Sequence, residues 1–394
     1  MMTQNLAVNS TLTKMTKENY LPLFNNQLTV KPSAFMAAIK KVKLDHDSIV
    51  AGAPIGINGG FGFGAEGFET PAAGGQLYEK FVARPKDMYV NLAISVKATK
   101  LATKAGAMVD ALHQEITSAY NAEEWNIGRA LFGDGTGKLA NSEAVTSSNM
   151  ITVDDTTKLK EGLIIDVYAD GATIPQTNGA KKRITSIDRA NKTITISGDP
   201  VTLDKGFITV QNSYNREITG LGAIFDDNID TLYGVKKAEN PVIKPTVVDA
   251  AGDVNDDFIT EALMTAEDDK NSKVNMLLCG RGAYTHYVNY LRENNIRVEE
   301  RSKEIAGGFK GIKFIVGNRE VDVVYDKFVP NAEMWGVETF NCEYHHTPWD
   351  FAALDGAGAF NLMENQSVYR ALLASYGELI CKNPGGCVQI TNCI

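Results

Sequence analysis

The sequence has few of the residues that mark catalytic or metal-binding proteins, and it has no long apolar run. Its 394 residues include only five cysteines and five histidines. An odd number of cysteines in a chain of this length fits a reducing compartment better than a disulfide framework. No apolar run approaches the roughly 20 residues needed to cross a bilayer, and the opening residues lack the apolar core of a signal peptide. The sequence therefore predicts a cytoplasmic protein without a membrane partner.

The sequence also lacks the excess of positive charge that is typical of proteins that bind duplex DNA tightly. Its formal net charge is −9 at pH 7. Tight DNA binders present a basic face that displaces counterions from the phosphates. We therefore expect any contact with DNA to be weak or indirect. Hydrophobic residues make up 44% and charged residues 22% of the chain, as in folded globular proteins, and its length is enough for several domains.

Two glycine-containing motifs resemble ligand-binding loops. The residues from Gly62 to Gly67 match the G-x-G-x-x-G pattern that binds a pyrophosphate in dinucleotide-binding folds. No buried strand precedes this pattern and no amphipathic helix follows it, which favours a flexible loop over a cofactor site. Asp134 lies between two glycines and could belong to a phosphate or metal loop. The end of a helix followed by a tight turn explains the same residues, so we predict no ligand there.

Metal-capable side chains gather in one short stretch, at Cys342, Glu343, His345 and His346. A zinc site needs a second pair of ligands at a characteristic spacing. Cys381 and Cys387 are the candidates for that pair, but five residues separate them, which is wider than a usual zinc knuckle. The default interpretation is therefore packing in the interior. Because the chain has no G-x-S-x-G motif and its histidines are scattered, we predict that it is not an enzyme and binds no cofactor or metal.

The order of elements along the chain predicts an α+β protein. The strongest helix pattern runs from Met108 to Leu131, and the clearest late strand runs from Val368 to Ile380. Pro85 interrupts an extended basic stretch and predicts an edge strand or a bent hairpin there. The chain divides into six predicted segments, which are 1–45 (arm), 46–100 (Gly-rich, then basic extended loop), 101–148 (long helix), 149–212 (small β module), 213–340 (α+β region) and 341–394 (return to a sheet).

This order of segments resembles the tailed-bacteriophage major capsid proteins of the Hong Kong 97 type, whose fold encapsulin shells share. The stretches that carry the resemblance are LFGDGTGKL (131–139), REITGLGAIFDDNIDTLYGV (216–235), YDKFVPNAEMWGVE (325–338) and YRALLASYGELICKNP (369–384). The resemblance implies an N-terminal arm, an extended loop, a peripheral domain with a long spine helix, and an axial domain. The last segment would return to the peripheral sheet. The β-rich segment 149–212 departs from the minimal plan and is similar to the insertion domains of some phage lineages.

The resemblance also implies a function. The expected protein is structural and assembles as hexamers and pentamers into an icosahedral shell around the double-stranded DNA of a phage. Its implied partners are other copies of itself, a separate scaffolding protein, a portal protein and, optionally, a decoration protein. Assembly would take place in the host bacterial cytoplasm, and the final location would be the virion capsid. An encapsulin-like protein compartment is the alternative, and a nucleotide-binding α/β enzyme is a third interpretation that depends on Gly62 to Gly67 alone.

Opposite charges on two neighbouring segments are the candidates for contacts between subunits. The candidate residues are Lys80, Arg84 and Lys86 on the extended loop and Glu115, Glu123 and Glu124 on the predicted helix. In the family that the chain resembles, the extended loop lies over an adjacent subunit, which would bring these charges together. The alternative is a solvated basic face, since exposed ion pairs contribute only about 0 to 1 kcal/mol each. The loop would then be held by its apolar residues, namely Phe81, Val82, Met88 and Tyr89.

Overall fold

A long helix, two six-stranded sheets and a seven-stranded sheet organise the part of the chain that the structure describes. This computed structural model describes residues 33–54, 56, 58–64, 67, 70–97, 108–252, 254–294, 302–305, 309–351, 361–363 and 366–394. The α-helices in these ranges are α1 (Ala34–Ala38), α2 (Met108–Ala130), α3 (Leu221–Phe225), α4 (Asp256–Lys270) and α5 (Arg281–Glu293). Short 3-10 helices cover Pro241–Ile243, Thr339–Asn341 and Pro384–Gly386.

The strands of the described residues, in chain order, are β1 (Lys40–Lys43), β2 (Ile49–Pro54), β3 (Tyr78–Ala83), β4 (Lys86–Ser95), β5 (Lys138–Ser142), β6 (Val145–Ser148), β7 (Met150–Thr152), β8 (Ile164–Ala169), β9 (Lys182–Asp188), β10 (Thr193–Ile196), β11 (Val201–Leu203), β12 (Gly206–Val210), β13 (Thr231–Leu232), β14 (Val235–Lys236), β15 (Thr246–Asp249), β16 (Met276–Cys279), β17 (Ser302–Ile305), β18 (Phe309–Val316), β19 (Arg319–Tyr325), β20 (Met334–Val337), β21 (Cys342–His346), β22 (Asp350–Phe351), β23 (Asn361–Leu362), β24 (Val368–Cys381) and β25 (Val388–Thr391).

The long helix α2 confirms the strongest pattern in the sequence. In its last turns the side chains of Trp125 and Ile127 are buried, and Leu131, just beyond the helix, is fully buried. The helix ends at Ala130, and the Gly133 N–H donates to the Ala130 carbonyl at 2.9 Å. The predicted turn after the helix is confirmed, because the chain takes positive φ at Gly135 and Gly137, where an added Cβ would be strained.

The first sheet is built on β24, which is long enough to pair with different strands at its two ends. Along one edge, β4 pairs antiparallel with β24 over ten consecutive positions, from Val368↔Ser95 to Gly377↔Lys86. Along the other edge lie β21, β22 and β23. Because β4 has no partner on its outer edge among the described strands, the predicted edge strand after Pro85 is confirmed. The predicted strand Val368 to Ile380 is confirmed as well.

The described part of the predicted arm lies against the main body. Phe35 in α1 is fully buried and its ring meets that of Phe132 at 5.8 Å. Helix α1 ends at Ala38 because the chain turns at Ile39, and β1 then pairs parallel with β21. Residues 1–32 of the arm lie outside the described residues.

The Gly-rich segment is the far end of a two-stranded hairpin. Strands β2 and β3 pair antiparallel from Ile49↔Ala83 to Pro54↔Tyr78. Ala51 and Ala53 of β2 are buried, so the base of the hairpin packs against the body of the protein. From residue 56 to residue 77 the described positions have no regular secondary structure, as the density of glycine predicts.

A six-stranded sheet in the order β5-β12-β8-β9-β10-β7 forms a separate hydrophobic core. Its two outer strands also meet, because Ser142 bridges Val153 and the Glu143 N–H donates to the Thr152 carbonyl at 3.0 Å. The sheet therefore closes on itself and leaves no long unpaired edge. The strands predicted inside the β module are confirmed, but the sheet starts at Lys138, before the predicted boundary at 149.

The seven-stranded second sheet has the order β15-β25-β20-β16-β19-β18-β17. Helices α4 and α5 contribute buried residues to its core, among them Leu263 and Tyr287. Asn255 caps α4, because its side chain accepts a hydrogen bond from the Phe258 N–H at 2.8 Å. The prediction that residues 341–394 all return to the other sheet is wrong, because β25 pairs with β15 and β20 in this one.

Candidate inter-subunit surfaces

The three basic candidates occupy different environments. Lys80 on β3 and Arg84, in the two-residue break before β4, are exposed. Lys86 is half-buried at the start of β4, where its charge lies close to Glu378 of the same chain. Lys80 and Arg84 are therefore available for contacts with another molecule, whereas Lys86 already lies beside an acidic group of its own subunit.

The acidic candidates on α2 are less accessible than the sequence predicts. Burial raises the pKa of Glu123 to about 7, against the effect of a hydrogen bond with Trp349. Glu124 is half-buried, and its charge acts on Lys327, whose pKa is lowered mainly by burial. The backbone of Glu115 lies on α2, but its side chain lies outside the described part of the chain. Neither of the described acidic candidates on α2, Glu123 and Glu124, is therefore freely solvated.

A cleft of about 590 Å³ separates α2 and β4 from the closed sheet. Lys86 and Glu123 both line it, so the structure brings one basic and one acidic candidate to a shared surface within a single subunit. Tyr344 is buried, and burial together with the charges of Glu123 and Glu378 raises its pKa. Burial also raises the pKa of Glu378 to about 8, although the N–H of Thr219 donates to its carboxylate at 2.7 Å.

Sequence reasoning missed the buried ion pair that anchors the end of α2. Arg129 donates from Nη2 to Glu217 Oε1 at 2.7 Å and from Nη1 to Oε2 at 2.9 Å. The two side chains are only 4% and 9% exposed. This pair joins the long helix to the segment that leaves the closed sheet. The sequence signal was weak, because Arg129 and Glu217 are 88 residues apart.

Exposed aromatic residues on the hairpin were also missed. Phe61 and Phe63 are 81% and 96% exposed, and their rings contact each other at 5.3 Å. Aromatic residues at alternate positions of a Gly-rich segment were the available signal. Phe81, in contrast, is fully buried, and its ring centroid lies 5.8 Å from that of Tyr233. The prediction that Phe81 could hold the loop on a neighbouring subunit is therefore wrong. Tyr89 is exposed, whereas Val82 and Met88 are half-buried.

The motifs set aside in the sequence have structural roles where they are described. Gly62, Phe63 and Gly64 lie between the hairpin strands β2 and β3. The expectation that no buried strand precedes them is wrong, because Ala51 and Ala53 of β2 are buried. No helix follows them among the described residues before β3, so the arrangement is that of a hairpin loop. Asp134 accepts hydrogen bonds from the N–H and hydroxyl of Thr136, at 2.9 and 2.6 Å, and so forms the predicted tight turn. Although burial raises the pKa of Glu343, hydrogen bonds from Lys382 and Lys40 hold it at about 2.

Among the described residues, no three His, Cys, Asp or Glu side chains lie close enough together to hold a metal ion. None of the helices in the described ranges is long and apolar enough to cross a membrane.

Comparison with solved structures identifies the fold. No protein-family model matches the sequence, and no curated protein matches it. A chain of the cyanophage A-1(L) capsid is similar over 93% of this chain and 94% of its own length, with 11% identity and a TM-score of 0.56. A Synechococcus elongatus encapsulin complex matches over 92% and 88%, with 9% identity and a TM-score of 0.48. Mycobacterium phage Bobi matches over 98% of each chain, with 10% identity and a TM-score of 0.45.

The fold assignment depends on the cyanophage chain, which has the highest TM-score of the three. That chain is similar over nearly its full length, so the two proteins share a fold from end to end rather than one domain. The predicted resemblance to phage capsid proteins is therefore confirmed at the level of the fold. The mixed helices and sheets also agree with the predicted α+β class.

Proposed function

We propose that this chain is the major capsid protein of a tailed phage, a structural subunit that assembles as hexamers and pentamers into an icosahedral shell around double-stranded DNA. The observation that carries the proposal is the fold shared with the cyanophage capsid chain over 93% of the sequence. The proposed partners are other copies of the chain, a scaffolding protein, a portal protein and an optional decoration protein. The net charge of −9 supports weak or indirect contact with the packaged DNA.

The hairpin supplies a second line of support. Its described far end exposes Phe61 and Phe63, although soluble proteins usually cover large apolar side chains. Its base is fixed, since the Val82 N–H donates to the Tyr233 carbonyl at 2.9 Å. A fixed base with an exposed aromatic pair suits an element that is covered by a neighbouring subunit. We propose that this pair adds apolar contact to the ionic contact predicted from the sequence.

Particle assembly tests the function directly. The purified chain, co-expressed with a phage scaffolding protein, is expected to give closed shells by negative-stain electron microscopy and light scattering. Monomers under all salt and crowding conditions, with scaffold supplied, would contradict the proposal. An encapsulin-like compartment would instead form shells that contain a protein and no nuclease-protected DNA after expression in the native genetic context.

The ionic contact is tested by charge reversal at the two exposed basic residues. Lys80→Glu together with Arg84→Glu is expected to leave the subunit folded and to lower the yield of shells. Reversal at Glu124 on α2 should restore part of the yield if the hairpin meets that helix on a neighbour. Lys205→Glu, at an exposed position of the closed sheet, is the matched control and should leave the yield unchanged. An unchanged yield in the double variant would leave Phe61 and Phe63 as the main contact.

A further inference from the structure

Three of the five cysteines meet where the first and second sheets join. Cys342 is the first residue of β21, Cys381 is the last residue of β24, and Cys387 directly precedes β25. All three are fully buried and carry free thiols. The other two, Cys279 and Cys393, lie in the separate core of the second sheet. The proposed shell contacts involve none of these three cysteines.

The backbone places Cys342 directly opposite Cys381. The two residues face each other in the antiparallel register of β21 and β24. The flanking hydrogen bond runs from the Lys382 N–H to the Asn341 carbonyl at 2.9 Å, and the Cys381 N–H donates to the Tyr233 hydroxyl at 3.2 Å. This is the pattern of a non-hydrogen-bonded pair, in which the Cα atoms are about 4.5 Å apart. Disulfides span Cα separations of about 4.4 to 6.8 Å, so this backbone can accept one.

The third thiol identifies the reactive member of the cluster. Hydrogen bonds from Cys342 and Cys387 lower the pKa of Cys381. The pKa of Cys342 is raised, first by its hydrogen bond to Cys381 and then by burial, and that of Cys387 is raised for the same reasons. Because the thiolate is the nucleophile in disulfide exchange, Cys381 should react first.

We propose that Cys342 and Cys381 form a latent cross-strand disulfide that closes when a low-molecular-weight disulfide, such as oxidised glutathione, reaches the junction. The Cys381 thiolate attacks one sulfur of the oxidant, breaks its S–S bond and forms a mixed disulfide. The released glutathione thiolate takes up the proton that Cys381 has lost. Cys342 then loses its proton, and its thiolate attacks the Cys381 sulfur and displaces the second glutathione thiolate, which takes up that proton. Two protein thiols are thereby oxidised, and the glutathione disulfide is reduced to two thiols.

The bond would join the start of β21 to the end of β24 at the junction of the two sheets. Because the thiols are buried, the reaction requires local opening and should be slow in the folded protein. A bond between Cys381 and Cys387 is the competing product. Cys342 is favoured because the strand register fixes its backbone opposite Cys381, whereas Cys387 follows a 3-10 turn at Pro384–Gly386.

Peptide mapping without reductant tests the proposal on the full chain. After incubation with oxidised glutathione, the peptides that contain Cys342 and Cys381 should be found linked with the loss of two hydrogens. The bond should raise the apparent Tm by about 5 °C, because it closes a long loop in the unfolded chain. Dithiothreitol should reverse both changes. A parallel sample, refolded from urea with oxidised and reduced glutathione, gives the oxidant access to all five thiols.

Single substitutions assign the bond. Cys342→Ser should abolish the linked peptide and the rise in Tm, whereas Cys387→Ser and Cys279→Ser should keep both. Cys279→Ser is the matched control because Cys279 is equally buried but lies in the other core. Two results would overturn the proposal. One is that all thiols stay reduced in both the folded and the refolded samples, and the other is a dominant link between any other pair of cysteines.

Discussion

Removal of the buried Arg129 guanidinium should destabilise the subunit more than removal of an exposed charge. Arg129→Met would leave the Glu217 carboxylate only 9% exposed and without its two hydrogen bonds. Breaking a buried pair from one side costs about 3–5 kcal/mol. Loss of the contact between Arg129 and the Trp125 ring at 6.0 Å adds up to about 1 kcal/mol. Lys158 compensates part of this cost, since its charge also acts on Glu217. We therefore expect a loss of about 3 kcal/mol in the free energy of unfolding.

Urea unfolding of the unassembled subunit measures this loss through tryptophan fluorescence, because Trp125 and Trp335 lie in the same core. Lys236→Met is the matched control, since the Lys236–Glu239 pair is 64% and 66% exposed. Its removal should cost much less than the removal of Arg129, because solvent screens an exposed ion pair. Arg129→Met combined with Glu217→Leu should recover most of the loss, because no unpaired buried charge remains. A loss in Arg129→Met no larger than that in Lys236→Met would refute the reasoning.

Two further predictions concern Glu378 and the closed sheet. Burial raises the pKa of Glu378 from 4.5 to about 8, so its contribution to stability is full below about pH 4.5 and is lost as the pH rises through about 8. Glu378→Gln should therefore weaken the decline of Tm between about pH 4.5 and pH 8, and a decline equal to that of the parent chain would contradict this. Replacement of residues 138–213 by a short Gly-Ser linker should leave the remaining domains folded, because the Asn215 N–H donates to the Thr136 carbonyl at 2.8 Å and holds the two ends together. Loss of the helical circular dichroism signal would show that the sheet is part of the main core.

The sequence predicts elements whose pattern is local. The helix α2 and the strand β24 are long enough for their apolar spacing to be read directly. The short strands β1 and β25 were missed because each has only four residues and its pairing depends on distant segments. Lys40, for example, pairs with Glu343, which is 303 residues away. No local pattern contains that information.

For the candidate contact residues too, local features could be predicted and features that depend on distant segments could not. The basic character of the hairpin could be predicted, and the exposure of Lys80 and Arg84 agrees with it. The environment of Glu123 could not, because it depends on Trp349, which lies far along the chain. The buried partner of Arg129 was hidden for the same reason. Whether a charge is solvated or buried is decided by tertiary packing, so composition alone overestimates the acidic surface of α2.

The ten-position pairing of β4 with β24 determines how the hairpin responds to mechanical load. Antiparallel hydrogen bonds run perpendicular to the strands, so a pull on the hairpin along β4 loads the whole ladder in shear. All of these bonds must then fail together. A pull perpendicular to the sheet would instead peel them one pair at a time. The hairpin is therefore stiff against tension along its length and compliant against lifting. Lifting begins at Lys86, the first residue of β4, directly after Pro85.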